Sequence, residues 1–259
     1  MKAPVFRFHL IFLAVVVSRA GAAGLEVNDG FETAGLSANW STDRFEPGAV
    51  IIQTNVVRSG RSAVQITVHP RDKFEAGRPG TSDSERAELM EAARFFSREN
   101  QAYEFAFSLY FPTNFPIVPT RLVIAQWKQL CPDGGNCSDD SPVLALRYIS
   151  GELRITQNLD RPHEARLYTE KGEFRGRWLD FRFQVRFATN ETGWVKAWLD
   201  GRPLVDFKGV TANSENPVTG YRHPGLFYFK VGLYRNSVPA PWTSYIDEYR
   251  KRELPGDAL

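Results

Sequence analysis

Trp178-Leu179-Asp180-Phe181-Arg182-Phe183-Gln184-Val185-Arg186-Phe187-Ala188 alternates between apolar and polar side chains. Leu179, Phe181, Phe183, Val185 and Phe187 fall on one face; Asp180, Arg182, Gln184 and Arg186 fall on the other. A period of two marks a strand with one buried face and one wet face. The same period extends outward from this segment. Downstream, Gly193–Leu199 reads as a strand, followed by the hairpin signal Asp200-Gly201 and a partner at Pro203–Phe207. Upstream, Tyr103–Phe111 places Phe105, Phe107 and Leu109 on one side, and Ser62–His69 turns Val64, Ile66 and Val68 inward. Leu144–Ile149, Glu152–Gln157, Leu226–Tyr234 and Ser244–Tyr249 repeat the pattern. Glu85–Arg98, rich in Ala, Glu, Leu and Met, reads equally as a helix or as a strand in its first half. Many short strands punctuated by Gly, Pro, Asn and Asp mean an all-β sandwich, jelly roll or barrel.

The composition agrees. Of 259 residues, 42% are hydrophobic and 24% charged, enough apolar matter for a full core. Aromatics reach 13%, which suits strands and also carbohydrate-binding faces. Two Cys exclude a disulfide scaffold and a thiolate zinc cluster. No Gly-rich phosphate loop is present, which argues against a nucleotide enzyme.

The first residues have the makings of an export signal. Lys2 and Arg7 precede the apolar run Leu10–Val17, which is too short to span a bilayer, and Ala20-Gly21-Ala22 offers a small-residue cleavage site. The expected organisation is a signal peptide over 1–23 and one domain over 24–259, exported to the periplasm or secreted. Losing Lys2, Arg7 and Arg19, three cations and no acid, turns the formal charge from +2 to −1. A mature chain of that charge is no general polyanion binder, and a nucleic-acid partner is not expected. No membrane contact is expected after signal removal, and the chain is expected to be a monomer. Export also permits a disulfide between Cys131 and Cys137, across the turn-rich Pro132-Asp133-Gly134-Gly135-Asn136.

Three strand segments carry polar groups opposite their apolar residues. Arg86 and Glu88 share a face in Arg86-Ala87-Glu88-Leu89, and Gln126 and Lys128 share one in Gln126-Trp127-Lys128. Trp127, by alternation, belongs to the core. In Tyr228-Phe229-Lys230-Val231-Gly232-Leu233-Tyr234, the residues Tyr228, Lys230, Gly232 and Tyr234 share a face. A Gly between Lys and Tyr leaves room for a ligand to lie across the sheet. In order and content the three segments resemble the R-x-E-L, Q-x-H and Y-F-K-x-G-x-Y strands of the alginate lyases. Asp29-Gly30-Phe31-Glu32 and Ser141-Pro142-Val143-Leu144-Ala145-Leu146-Arg147 look more like the heparin lyase I and glucuronan lyase branch of the same jelly-roll lyases. The likeness runs from about Asp29 to Tyr249.

The resemblance implies a concanavalin A-like jelly roll of two antiparallel sheets and β-elimination on a uronic-acid polysaccharide. It also implies roles for single residues. Arg86 and Gln126 would grip the uronate carboxylate, a fixed fork of donors beside an uncharged amide. Lys230 would add positive charge that favours a tyrosinate, and Tyr234 would move the proton. Glu88, Lys128, Tyr228 and, from a loop, His163 are candidate substrate contacts. Lys128 stands where the alginate pattern has His, so the second base of that pattern is missing. Another His could fill that gap: His163 first, because a loop can reach over the sheet, then His69 or His223. In glucuronate and mannuronate H5 and O4 lie on the same side of the ring, so one Tyr can serve both. The missing His therefore points to β-1,4-linked glucuronate or mannuronate.

No cofactor is required for this chemistry. A structural Ca²⁺ would fall to Asp29, Glu32 and Asp247. Arg147, Arg154, Arg182 and Arg186 are further cations that flanking carboxylates could meet, if they share the site's face. A laminarinase-like hydrolase would need an E-x-D-x-E strand, which the sequence lacks. A non-catalytic lectin on the same sheet is the alternative of a different class.

Overall fold

The computed structural model describes residues 24–75, 78–79, 83–130, 142–159, 164–215 and 224–255. In chain order the early strands are β1 (Glu26–Asp29), β2 (Trp40–Ser41), β3 (Val50–Gln53), β4 (Ala63–Val68), β5 (Phe74–Glu75) and β6 (Arg78–Pro79). The middle strands are β7 (Ser84–Glu91), β8 (Ser97–Arg98), β9 (Ala102–Tyr110), β10 (Leu122–Gln129), β11 (Leu144–Ile149) and β12 (Glu152–Gln157). The last are β13 (Ala165–Lys171), β14 (Trp178–Arg186), β15 (Trp194–Leu199), β16 (Arg202–Lys208), β17 (Leu226–Asn236) and β18 (Trp242–Glu253).

They form two antiparallel eight-stranded sheets, with β5 and β6 as a separate ribbon. One sheet runs β16-β15-β14-β9-β18-β4-β3, with β1 on β18; the other runs β13-β12-β11-β10-β17-β7-β2, with β8 on β17. This is the expected all-β sandwich. Most of the expected strands recur within a residue or two. The Asp200-Gly201 turn has positive φ at both residues, 51° and 79°, as a tight hairpin of this hand requires.

The undecided segment Glu85–Arg98 is a strand followed by a turn. Glu85, Ala87, Leu89 and Glu91 of β7 face inward and are buried. Only Ala93–Phe95 winds, as one turn of 3₁₀ helix. Helix propensity differs by a few tenths of a kcal/mol per residue, and pairing of Ser84–Met90 with Lys230–Asn236 of β17 overrides it.

The two sheets meet on aromatic rings. Trp127 of β10 packs 4.7 Å from Phe183 of β14 and 5.1 Å from Phe229 of β17. Phe105 of β9 meets the same indole edge-on at 5.4 Å. Trp127 is thus a core residue, as its parity indicates. Burial of each such side chain is worth about 1.5–3 kcal/mol.

Two ion pairs lie within this apolar layer. Lys251 of β18 donates to both oxygens of Glu91, at 2.8 and 3.1 Å, and to the Phe95 carbonyl, tying one sheet to the other. Burial pushes the Glu91 carboxyl up to about 7, although Lys251 pulls it down. Arg235 of β17 pairs with Glu85 at 2.8 Å, and its guanidinium carbon lies 4.6 Å from the Trp242 ring of β18. Among the described residues no helix is long and apolar enough to cross a membrane.

Candidate active site

Three adjacent strands, β10, β17 and β7, bring the sequence-predicted residues together. Their inner faces build the core, so their other side chains stand on the open face of the sheet. Register sets two rows across it. Arg86 stands opposite Tyr234, Tyr234 opposite Val123, and Val123 opposite Arg147. Met90 stands opposite Lys230, Lys230 opposite Gln126, and Gln126 opposite Ala145. Lys128 and Tyr228 pair at one end.

Gly232 sits between the rows, opposite Glu88. Here β17 carries one residue more than β10: Gly232 and Leu233 together face Ile124. The glycine has φ +147°, and a Cβ on it would lie 2.3 Å from the Ala87 carbonyl oxygen and 2.9 Å from the Glu88 Cα. Only Gly lets the two backbones approach this closely.

Glu88, Gln126 and Lys230 are all buried. The Glu88 carboxylate receives the Gln126 amide and the Lys230 ammonium, the latter at 3.4 Å, with an Arg86 nitrogen 3.9 Å away. Burial opposes its charge, but Lys230, Arg86, the Gln126 hydrogen bond and Arg44 outweigh that and hold Glu88 below the usual carboxylate range. It is the anion that anchors the three donors. Lys230 pays the opposite penalty. Burial, with Arg86, Lys128 and Arg44 around it, pushes its ammonium down to about 7 against the pull of Glu88.

Tyr234 is the half-buried phenol of this face. The guanidinium carbons of Arg86 and Arg121 each lie 4.4 Å from its ring centroid. Burial works against its ionisation. Hydrogen bonds to Ser84 and Arg121, and the charges of Arg121 and Arg86, outweigh burial and lower its pKa. Lys230, the cation expected to act on this phenol, is paired with Glu88. Arg121 was not legible in the sequence; it precedes β10 and follows Pro119-Thr120, with no motif around it.

The four further arginines divide between the sheets. Arg147 lies in the Tyr234 row, buried, bonded to Thr156 at 3.0 Å and paired with Glu164 at 2.8 Å. Arg154 stands opposite Arg147 and pairs with Glu152 at 2.6 Å. Arg182 and Arg186 belong to β14 of the other sheet, where Arg182 stacks on Trp198 at 4.0 Å. Lys128 is half-buried beside Lys230, and Tyr228 packs on Phe96 at 5.4 Å.

His163, His223, Cys131 and Cys137 lie outside the described residues. His69 pairs with Asp72 at 3.3 Å, off these three strands. The three acids considered for Ca²⁺ are occupied by protein donors. Asp29 accepts from the Phe31 amide, Ser37 and Trp40; Glu32 accepts the amides of Arg61 and Ser62; Asp247 accepts those of Arg58, Ser59 and Glu248. Among the described residues no group of three or more His, Cys, Asp or Glu is placed to hold a metal ion.

The structure is a two-sheet sandwich with a phenol, an amide and clustered cations on one face of one sheet. The sequence matches the family model described as polysaccharide lyase over residues 31–250, and the chain belongs to that family. No curated protein matches it. Its fold is shared by an endo-β-1,4-glucuronan lyase from the fungus Trichoderma reesei, at 18% identity over 90% of this chain and 96% of that one, TM-score 0.66. An alginate lyase of polysaccharide lyase family 7 matches at 12% identity over 81% and 84%, TM-score 0.54. An alginate lyase from Corynebacterium sp. matches at 17% over 78% and 81%, TM-score 0.52. The enzyme is a polysaccharide lyase.

Proposed function

We propose that this lyase is exported and cleaves a β-1,4-linked glucuronate or mannuronate polymer by β-elimination. The observation that carries the reading is Tyr234, a phenol set between two guanidinium groups with no His beside it among the described residues.

The geometry supports a short sequence of steps. A uronate carboxylate laid across the face meets Arg86 and Gln126, whose donors are held in place by Glu88. Neutralising that carboxylate makes C5–H acidic and stabilises the enolate-like intermediate. Tyr234, as phenolate, takes the C5 proton, and the electron pair forms C4=C5 as the C4–O4 bond breaks. The phenol then returns the proton to the departing O4. One group suffices where H5 and O4 are on the same side of the ring. Cations clustered around the site draw in an acidic polymer although the mature chain is near neutral. Export rests on Lys2, Arg7, the run Leu10–Val17 and Ala20-Gly21-Ala22.

The test is ultraviolet absorbance during incubation with glucuronan, polymannuronate, polyguluronate or heparin, because elimination creates a conjugated unsaturated uronate and hydrolysis does not. A rise with glucuronan or polymannuronate is expected. A rise with polyguluronate alone overturns the substrate assignment, and binding without any rise moves the chain to the lectin reading.

A further inference from the structure

For Tyr234 to take a proton its phenolate must be favoured, and Arg86 of the motif shares that task with groups outside it. The charged groups facing Tyr234 come from four elements. Arg86 and, opposite the neighbouring Gly232, Glu88 come from β7. Arg121 comes from the segment ahead of β10. Arg147 comes from β11 with its partner Glu164, and Lys230 from β17 itself. Arg147 is spoken for by Glu164, and Lys230 by Glu88. Arg86 is shared between the ring of Tyr234 and Glu88, and it is the group assigned to the substrate carboxylate.

Arg121 is held differently. Its Nε donates to the Asn236 side-chain oxygen at 2.9 Å, and one terminal nitrogen donates to Ser84 Oγ at 2.8 Å. Its backbone oxygen accepts the Asn236 amide at 3.2 Å. Neither side-chain partner is an acid. Arg121 lies over the ring it serves, its guanidinium carbon 4.4 Å from the centroid. Ser84 and Asn236 are themselves opposite each other across β7 and β17, so the clamp closes over the end of the strand pair that carries the site.

We propose that Arg121, clamped by Ser84 and Asn236, is a positioning residue for proton transfer. Held over the ring, it supplies the positive charge against which the phenolate forms. An opposite charge in contact with a titrating group moves its pKa by about 1–3 units. This inference rests on the β-elimination reading, in which Tyr234 moves the proton.

The experiment separates the two. The phenolate of Tyr234 is titrated by ultraviolet difference spectroscopy against a Tyr234→Phe background, and the pH profile of kcat/KM is recorded on the polymer that the wild type cleaves. Arg121→Gln should raise the Tyr234 titration by about 1–2 units and move the acid limb of kcat/KM by the same amount. That is a 10–100-fold loss at pH below the wild-type limb, with KM little changed. Arg121→Lys should recover part of the shift, because it keeps the charge and loses the fork. Ser84→Ala should give a smaller shift, and it reads the same clamp if Arg121→Gln fails to fold. A titration that stays in place in a folded Arg121→Gln protein overturns the role of Arg121. A titration that moves in a protein inactive on every polymer upholds the clamp and sinks the β-elimination reading instead.

Discussion

Replacing Gly232 by Ala tests the site's construction at its tightest point. The added Cβ would come within 2.3 Å of the Ala87 carbonyl oxygen and 2.9 Å of the Glu88 Cα, and both are backbone atoms of a central strand that cannot swing aside. Overpacking of this kind costs about 1–3 kcal/mol. A side chain held at φ +147° adds about 1–3 kcal/mol of backbone strain. The sum is about 2–6 kcal/mol, a large part of the stability of a domain this size. At about 2–4 °C per kcal/mol the melting temperature should fall by roughly 5–20 °C. The relief available is for β7 to move away from β17, which drags Glu88 off Lys230 and Gln126. Thermal melting by circular dichroism reads the first effect, and turnover at a temperature where the variant remains folded reads the second. A Gly232→Ala protein melting within about 2 °C of wild type, with unchanged turnover, would refute the claim that close approach at this bulge sets the site.

Other perturbations probe the remaining groups. Tyr234→Phe should lower kcat by about 10²–10⁴-fold while polymer binding, followed by calorimetry, changes little; equal losses in both would make Tyr234 a binding residue. Lys230 titrates near 7 in the fold against an ordinary 10.5, so the unfolded chain binds more protons between these values and stability should rise with pH across that window. The depressed Tyr234 phenol adds in the same direction as its own pKa is passed. Urea melts at pH 7 and pH 9.5 check this, and the rise should shrink in Lys230→Met. Lys251→Met strands Glu91 between the sheets and should cost about 3–5 kcal/mol by urea denaturation, and Glu91→Gln in the same chain should recover part of it.

Strands were legible wherever one face is apolar without interruption, as in β14, β9 and β4. Recognition failed where the physics is not local. β13 is an edge strand with Arg166, Thr169 and Lys171 exposed, so it shows no alternation of burial to read. Glu85, Glu91, Arg235 and Lys251 are charged yet face the core, because each has a partner contributed by a strand distant in sequence. The open-face parity of Arg86, Glu88, Gln126, Lys128, Lys230 and Tyr234 was readable. What parity could not say is that Glu88 lies underneath its neighbours and neutralises them. Nor could it bring in Arg121, whose relation to Tyr234 depends on a turn closing beside the end of β17.

The pairing of β7 with β17 also has a consequence for when activity can arise. Glu88 and Lys230, whose contact anchors the site, are 142 positions apart in the chain. Pairings of such span close late and slowly, because loop entropy must be overcome before any contact is rewarded. Until β17 docks between β10 and β7, both of those strands present a bare edge, and the phenol has none of its cations. No complete site can therefore exist before β17 has been synthesised and paired with both strands.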